Sequence, residues 1–467
     1  MDLPEGYIII KESDYKAILF RLDKLEQENA ELKQRLNMNS SNSHKPPSTD
    51  GYSKKPIIKN NRIKGDKNPG GQPGHKGTTL MMSECPDKVV ELDIYGNCSC
   101  GRLIEDGILT GFNRYQILEL VPKLVETTEY RNLIRTCECG LVHKGPTGHS
   151  GIRYGNGIKS LAVYLNQQQF IPYDRLQQTF KDVLGITVSD CFLTGINEYC
   201  YNQLECFEVI NKAALFNEKV LCCDETTERV EGALQWVHTI SSPDRTHYQV
   251  HSKRGKEAID SINILPEFKG VSVHDRFSSY LKYDCEHAFC NAHLLRDLTG
   301  LIDEDKKRWA KKMKHLLIKG KSYKDNGLLT KTRLKSINKE YDKIISWYKV
   351  NEIYLQLPKH ICLEGIDINK LKLKKTKSLK LLKVFEFNKT QILRFLHNPD
   401  VPFDNNLAER DLRMIKLKQK ISGCFRTNKG SEIFCRIRSY ISTARKQQVN
   451  VMQALMATLE TKPFLFT

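Results

Sequence analysis

The chain has 467 residues, with 73 Lys and Arg against 55 Asp and Glu, a formal net charge of +18 and a pI of about 9.1. That length holds two to four domains with real cores, and the charge favours a polyanionic partner, nucleic acid foremost. No apolar run reaches membrane-span length, and Met1-Asp2-Leu3-Pro4-Glu5 opens without the basic and apolar regions of a secretory leader, so no membrane association and a cytoplasmic, nucleoid-associated location are expected. With 15 cysteines in a reducing compartment, close cysteine pairs read as metal ligands before disulfides.

Residues 12–37 are predicted to form a coiled coil. Tyr15, Leu22, Asn29 and Leu36 fall at a positions, with Ile18, Leu25 and Leu32 at d. A lone Asn at a fixes register and favours a parallel dimer, so a homo-oligomer is expected. The alternative is an amphipathic helix packed on the chain's own body. Residues 38–80, running through Lys45-Pro46-Pro47 and Lys54-Lys55-Pro56 to Gly70-Gly71-Gln72-Pro73-Gly74-His75-Lys76-Gly77, lack the apolar content for a core and read as a basic flexible linker.

Residues 81–150 read as a small zinc-ribbon-like β module. Cys98-Ser99-Cys100-Gly101 and Cys137-Glu138-Cys139-Gly140 supply four thiolates of a structural Zn²⁺ site. Each pair is separated by one residue rather than the usual two, and Cys85 or His143 could substitute. Residues 151–216 read as a helical DNA-binding domain. A helix from Tyr173, a turn at Leu184-Gly185-Ile186-Thr187 and a second helix from Val188-Ser189-Asp190 suggest a helix-turn-helix.

From residue 217 the period changes. Strands are predicted at 219–224, 234–241 and 246–252, then a helix at 256–263 and strands at 270–274 and 287–290. This is the first part, 217–298, of an α/β core with a mixed sheet. Residues 299–395 form a mainly helical, basic insertion; residues 301–385 hold 23 Lys and Arg against 9 Asp and Glu, a net +14. Residues 396–467 return to the core, with helices at about 404–420 and 430–459.

Three acidic contexts carry the chemistry. Asp224 and Asp275 each close an apolar, β-prone run, and Glu409 lies on a helix whose following turns are cationic. Two strand-end aspartates and a helix glutamate are the hard oxygen donors that hold two Mg²⁺ roughly 4 Å apart for phosphoryl transfer. Asp284 is a rival to Asp275 within reach along the chain. Arg413 and Lys416 share the helix face of Glu409, with Arg410 beside it, and could grip phosphates near a scissile bond. Trp236 is read as core or as a base-stacking platform.

Several stretches share a further likeness, in order along nearly the whole chain. They are Asn39-Ser40-Ser41, Lys45-Pro46-Pro47-Ser48, the 70–77 glycine segment, Leu161-Ala162-Val163-Tyr164-Leu165, Pro172-Tyr173-Asp174-Arg175-Leu176, Asp224-Glu225-Thr226 and Asn405-Asn406-Leu407-Ala408-Glu409-Arg410. Together they resemble the insertion sequence 66 family of bacterial transposases, and the layout resembles the ribonuclease H-like fold of the Asp-Asp-Glu transposases.

The resemblance implies Asp224, Asp275 and Glu409 as ligands of two Mg²⁺ (or Mn²⁺) ions, and double-stranded transposon ends and target DNA as partners. It implies cleavage of the end strands by water, attack of the freed 3′-hydroxyl on target DNA, and accessory proteins of the same element. Cys290 and His293 match a Cys-x-x-His signature of several such transposases and are expected to pack or hydrogen-bond near the site. The rival functions are a catalytically idle DNA-binding regulator and a ribonuclease H-like nuclease.

Overall fold

A computed structural model describes residues 11–38, 152–354 and 376–466, with short pieces of 82–144. The chain divides into two compact units, one of them Lys59–Gly148 and the other the remainder. The helix α1 (Glu12–Asn37) covers the predicted heptads, and Tyr15, Ile18, Leu22, Leu25, Leu32 and Leu36 are all exposed on it. In the smaller unit, β1 (Ile134–Thr136) pairs antiparallel with β2 (Val142–Lys144). Cys98, Cys137 and Cys139 lie outside the described residues and Cys100 is exposed, so the expected zinc site falls largely outside them too. The linker 39–80 lies outside them as well.

Residues 156–216 form helices, as their pattern predicts: α2 (Asn156–Val163), a π-helical turn, α3 (Tyr173–Leu184), α4 (Asp190–Gln203) and α5 (Glu205–Phe216). The α3–α4 turn falls at the expected residues. Ser189 caps α4 by accepting from the Phe192 backbone N–H, satisfying a donor that the first turn leaves unpaired.

The sheet has five strands in the order β5-β4-β3-β6-β7. They are β3 (Val220–Val230), β4 (Ala233–Ser241), β5 (Thr246–His251), β6 (Val271–His274) and β7 (Glu286–Phe289). The first three form an antiparallel meander, whereas β6 and β7 run parallel to β3. The crossover from β5 to β6 carries α6 (Lys256–Ile262). This mixed sheet is compatible with a ribonuclease H-like core.

Two local details fix the strands. Glu231 and Gly232 both have positive φ, 53° and 80°, which matches the twist of a two-residue hairpin between β3 and β4. At the entry to β6, a Cβ on Gly270 would lie 2.5 Å from the Lys219 carbonyl oxygen, so only glycine lets β6 start against β3.

The remaining helices are α7 (Asn291–Asp305), α8 (Arg308–Asp325), α9 (Lys331–Tyr354), α10 (Lys377–Phe387), α11 (Lys389–His397), α12 (Asn406–Ser422), α13 (Asn428–Lys446) and α14 (Val451–Leu459). The basic insertion does not bury its apolar faces on itself alone. Trp309, Met313, Leu316, Tyr341, Phe385 and Phe395 share one core with Cys222, Val271, Val273 and Phe289 of the sheet. The C-terminal helices join α2–α5 in a second core through Ile437, Tyr440, Ala444 and Leu455.

Two expectations are corrected. The last predicted helix is two helices, because Gln448 turns left-handed at φ 59° and Asn450 caps a fresh start by accepting from the Gln453 N–H. Asp224 does not end its strand; β3 continues six residues further because the hairpin keeps Glu225–Val230 paired with β4. No helix among the described residues is long and apolar enough to cross a membrane.

Candidate active site

Strand parity decides which way each acidic side chain faces. Successive strand residues point to opposite faces. Cys222 packs with Val271 and Val273 on one face of the sheet, and Cys223 packs with Leu221 and α6 on the other. Asp224 therefore shares the Cys222 face, and Glu225 turns away from it. Asp275 is the first residue past β6 and continues the parity of Val271 and Val273. The parallel ladder last pairs Cys222 with Val273, and two residues beyond stand Asp224 and Asp275. Both carboxylates thus leave the same face at the point where β3 and β6 part.

The third acid reaches that face from α12. Ala408, Leu412 and Ile415 form the buried stripe of this helix, and Glu409 flanks the stripe in its first turn. Its placement depends on Asn405, which is 1% exposed. The Asn405 side-chain amide donates to the Cys223 carbonyl oxygen (2.8 Å), next to Asp224. Its backbone N–H donates to Cys290 Sγ (3.2 Å), and its carbonyl accepts from the Glu409 N–H (3.1 Å). One buried residue therefore ties β3, the start of α7 and the start of α12 together. Further along the helix, Asp411 accepts from Ser241 Oγ (2.7 Å), Thr246 Oγ1 (3.0 Å) and Lys446 Nζ (2.9 Å), which fastens α12 to β4, β5 and α13.

The electrostatics show that the three acids act on one another. Burial first, then the charges of Glu225, Asp275 and Glu409, hold the Asp224 carboxyl well above the usual carboxylate range. Glu409 is also raised, mainly by burial, against the opposing pull of Arg296 and Arg413. Glu409 Oε1 is buried with no hydrogen-bond partner. Two partly buried carboxyls held above their usual range by burial and by neighbouring acids, one with an oxygen that lacks a donor, fit the chemistry of a divalent cation, although the oxygens of Asp224, Asp275 and Glu409 do not all close to within 4.8 Å of one another.

The ligand atoms that close to within 4.8 Å of one another among the described residues are those of Cys290, His293 and Glu409. His293 Nδ1 lies 3.8 Å from Glu409 Oε1, and Arg296, one turn further along α7, lies 4.0 Å from Oε2. Burial pushes the Cys290 thiol up to about 12, which removes it as a nucleophile at neutral pH.

The other expected residues fall out as follows. Arg410 and Arg413 are exposed on α12. Lys416 has its amine engaged with β3, donating to the Thr227 carbonyl (2.5 Å) and hydroxyl (3.1 Å). Asp284 is 97% exposed and pairs with Lys269, away from the site. Trp236 is partly buried, with the Arg254 guanidinium 4.9 Å from its ring centroid and 4.1 Å from that of Phe277.

Reading the sequence missed the support behind Asp224. Glu225 Oε1 accepts from Arg254 Nε (2.8 Å) and its Oε2 from the Tyr280 hydroxyl (2.6 Å). Arg276, directly after Asp275, holds a left-handed backbone at φ 77°, and its guanidinium donates to Asp297 (2.7 Å). Arg296 and Asn405 were also missed as site residues. Only their spacing from His293 and Glu409, one helical turn in each case, could have marked them.

No curated protein matches the chain. Residues 8–81 match a model for a family of unknown function. Residues 151–433, which contain the sheet, the insertion and all three acids, match the model of the transposase IS66 family, and the chain belongs to that family.

Proposed function

We propose that the protein is a metal-dependent DNA transposase that cleaves the ends of its own insertion sequence and joins them to target DNA. The observation that supports this reading is that Asp224 and Asp275 stand two residues beyond the last paired residues of β3 and β6, and Asn405 bonds the start of the Glu409 helix to the Cys223 carbonyl beside them. In this reading the three carboxylates hold two divalent cations, Mg²⁺ or Mn²⁺. Bound there, the cations would supply the positive charge that stabilises the attacking and leaving oxygens of an in-line displacement at phosphorus.

The chain's own residues orient the acids and receive the DNA. Asn405 sets Glu409 against β3, and the Glu225–Arg254–Tyr280 group braces the strand behind Asp224. Arg296 balances the charge of Glu409. Exposed Arg410 and Arg413 line the approach on α12 and are suited to phosphate contacts, which position a duplex without reading its sequence. Lys416, already bonded to Thr227, contributes mainly by holding α12 to β3. The basic insertion extends the electrostatic footprint, and the exposed apolar stripe of α1 is suited to self-association with a second copy.

The test is Asp224→Asn with a duplex carrying the element's terminal repeat. Loss of both end cleavage and strand joining with DNA binding retained supports the assignment. Cleavage at the wild-type rate would sink it.

A further inference from the structure

Beside the proposed catalytic acids lies a second donor set of different chemistry. Cys290 closes β7 and precedes α7, buried to 1% exposure, with its backbone N–H bonded to the His274 carbonyl (2.9 Å). His293 sits in the first turn of α7, its N–H bonded to the Cys290 carbonyl (3.2 Å). The Cys-x-x-His spacing thus brings thiol and imidazole to the same end of one helix. Glu409 arrives from α12, and its position relative to Cys290 is fixed by the Asn405 N–H bond to the sulfur. All three ligand atoms lie within 4.8 Å of one another, with 3.8 Å between imidazole and carboxylate.

We propose that Cys290, His293 and Glu409 form a binding site for a borderline-soft divalent cation of the Zn²⁺ class, distinct in chemistry from the all-oxygen Mg²⁺ site but sharing its glutamate. One sulfur, one nitrogen and one oxygen, with a fourth position left to solvent, is a donor set that selects Zn²⁺ or Co²⁺ over Mg²⁺, which takes oxygen. Metal–ligand bonds of about 2.0–2.3 Å require tetrahedral edges of roughly 3.3–3.8 Å. The imidazole–carboxylate edge, at 3.8 Å, is a few tenths of an ångström longer than a nitrogen–oxygen edge needs, and the sulfur lies within 4.8 Å of both, so closing the site takes side-chain adjustments of about 1 Å or less.

The consequence rests on the reading of Glu409 as a catalytic ligand. A Zn²⁺-class ion held here would draw that carboxylate away from the Mg²⁺ site, so trace zinc would silence strand cleavage while leaving DNA binding intact.

The test is a titration of the metal-free full chain with Co²⁺, read by the near-ultraviolet thiolate-to-cobalt charge-transfer band and by equilibrium dialysis. Cys290→Ser and His293→Asn serve as comparisons, with melting curves to establish that each is folded. The other cysteines are unchanged in all three proteins, so the differences isolate this site. Loss of one bound equivalent and part of the band in Cys290→Ser, with at least about tenfold weaker binding in His293→Asn, supports the site. Equal stoichiometry and equal affinity in both folded variants overturn it. A variant that fails to fold leaves the other to decide, since the sulfur and nitrogen ligands are removed separately.

The second arm adds Zn²⁺ to Mg²⁺-supported cleavage. Inhibition in the wild type that is relieved in Cys290→Ser supports the coupling through Glu409. Undiminished cleavage with the extra equivalent bound overturns the coupling. Absence of any Mg²⁺-supported cleavage in the wild type would instead count against the transposase centre, with the Co²⁺ result still deciding the new site.

Discussion

Asn405→Ala tests how Glu409, the proposed metal ligand, is placed. The wild-type amide donates to the Cys223 carbonyl at 2.8 Å in a position 1% exposed. Deleting it strips a buried acceptor of its partner, which costs about 1–3 kcal/mol. Asn405 Oδ1 is already buried without a partner, so losing it offsets part of that penalty, and a net destabilisation of about 1–2 kcal/mol is expected. The backbone bonds of residue 405 to Cys290 Sγ and Glu409 survive in alanine, so the helix still starts where it does. What goes is the tie between its start and the strand bearing Asp224.

A displacement of about 1 Å at a reacting centre lowers rates on the order of 100-fold. The expected result is therefore a fall of that size in the single-turnover rate of Mg²⁺-supported cleavage of element-end DNA, with DNA affinity unchanged and a modestly lower denaturation midpoint. A wild-type single-turnover rate in a variant destabilised as expected would refute the positioning argument.

Other outcomes follow from single contacts. Burial pushes Glu228, 1% exposed, up from 4.5 to about 7. A raised carboxylate is penalised when ionised, so it lowers stability progressively as pH rises from 4.5 to 7, by up to about 3 kcal/mol above that range. Glu228→Gln should accordingly be more stable than wild type at pH 8 and indistinguishable near pH 4.5 by denaturant melts; a constant difference across that range would contradict the burial argument. Tyr280→Phe removes the hydroxyl that donates to Glu225 (2.6 Å) and should destabilise by about 1.5–3 kcal/mol, as for hydrogen bonds to charged groups. Lys446→Met removes the cationic partner of Asp411, whose side chain is 15% exposed beside two hydroxyls, and a loss of about 3–5 kcal/mol in urea unfolding is expected. Replacing Leu22 and Leu25 together by Asp should shift the chain to a smaller species in sedimentation; an unchanged distribution would remove α1 as the self-association element.

The sequence alone determined the elements whose pattern is local. Period-two runs marked all five strands to within a few residues except where β3 continues past Asp224, and the turn and caps around Gly185 and Ser189 marked α3 and α4. It also determined the family, because short motifs in fixed order survive without knowledge of any contact. The three acids were legible for the same reason, each standing beside a recognisable local context.

What the sequence could not decide was direction and neighbourhood. Glu225 adjoins Asp224 in the chain but turns to the opposite side of the sheet, where Arg254 and Tyr280 bond it, and only the pairing of β3 with β6 fixes which of the two shares the face of Val273. Asn405 reads as one more polar residue before a helix until the fold buries it between Cys223 and Cys290. Lys416 reads as a phosphate contact in the sequence, and only the packing of α12 shows that Thr227 of β3 lies under its amine. Charge and periodicity are properties of a segment. Burial, pKa and the meeting of Glu409 with His293 and Arg296 are properties of distances between segments, and those exist only once the chain has folded.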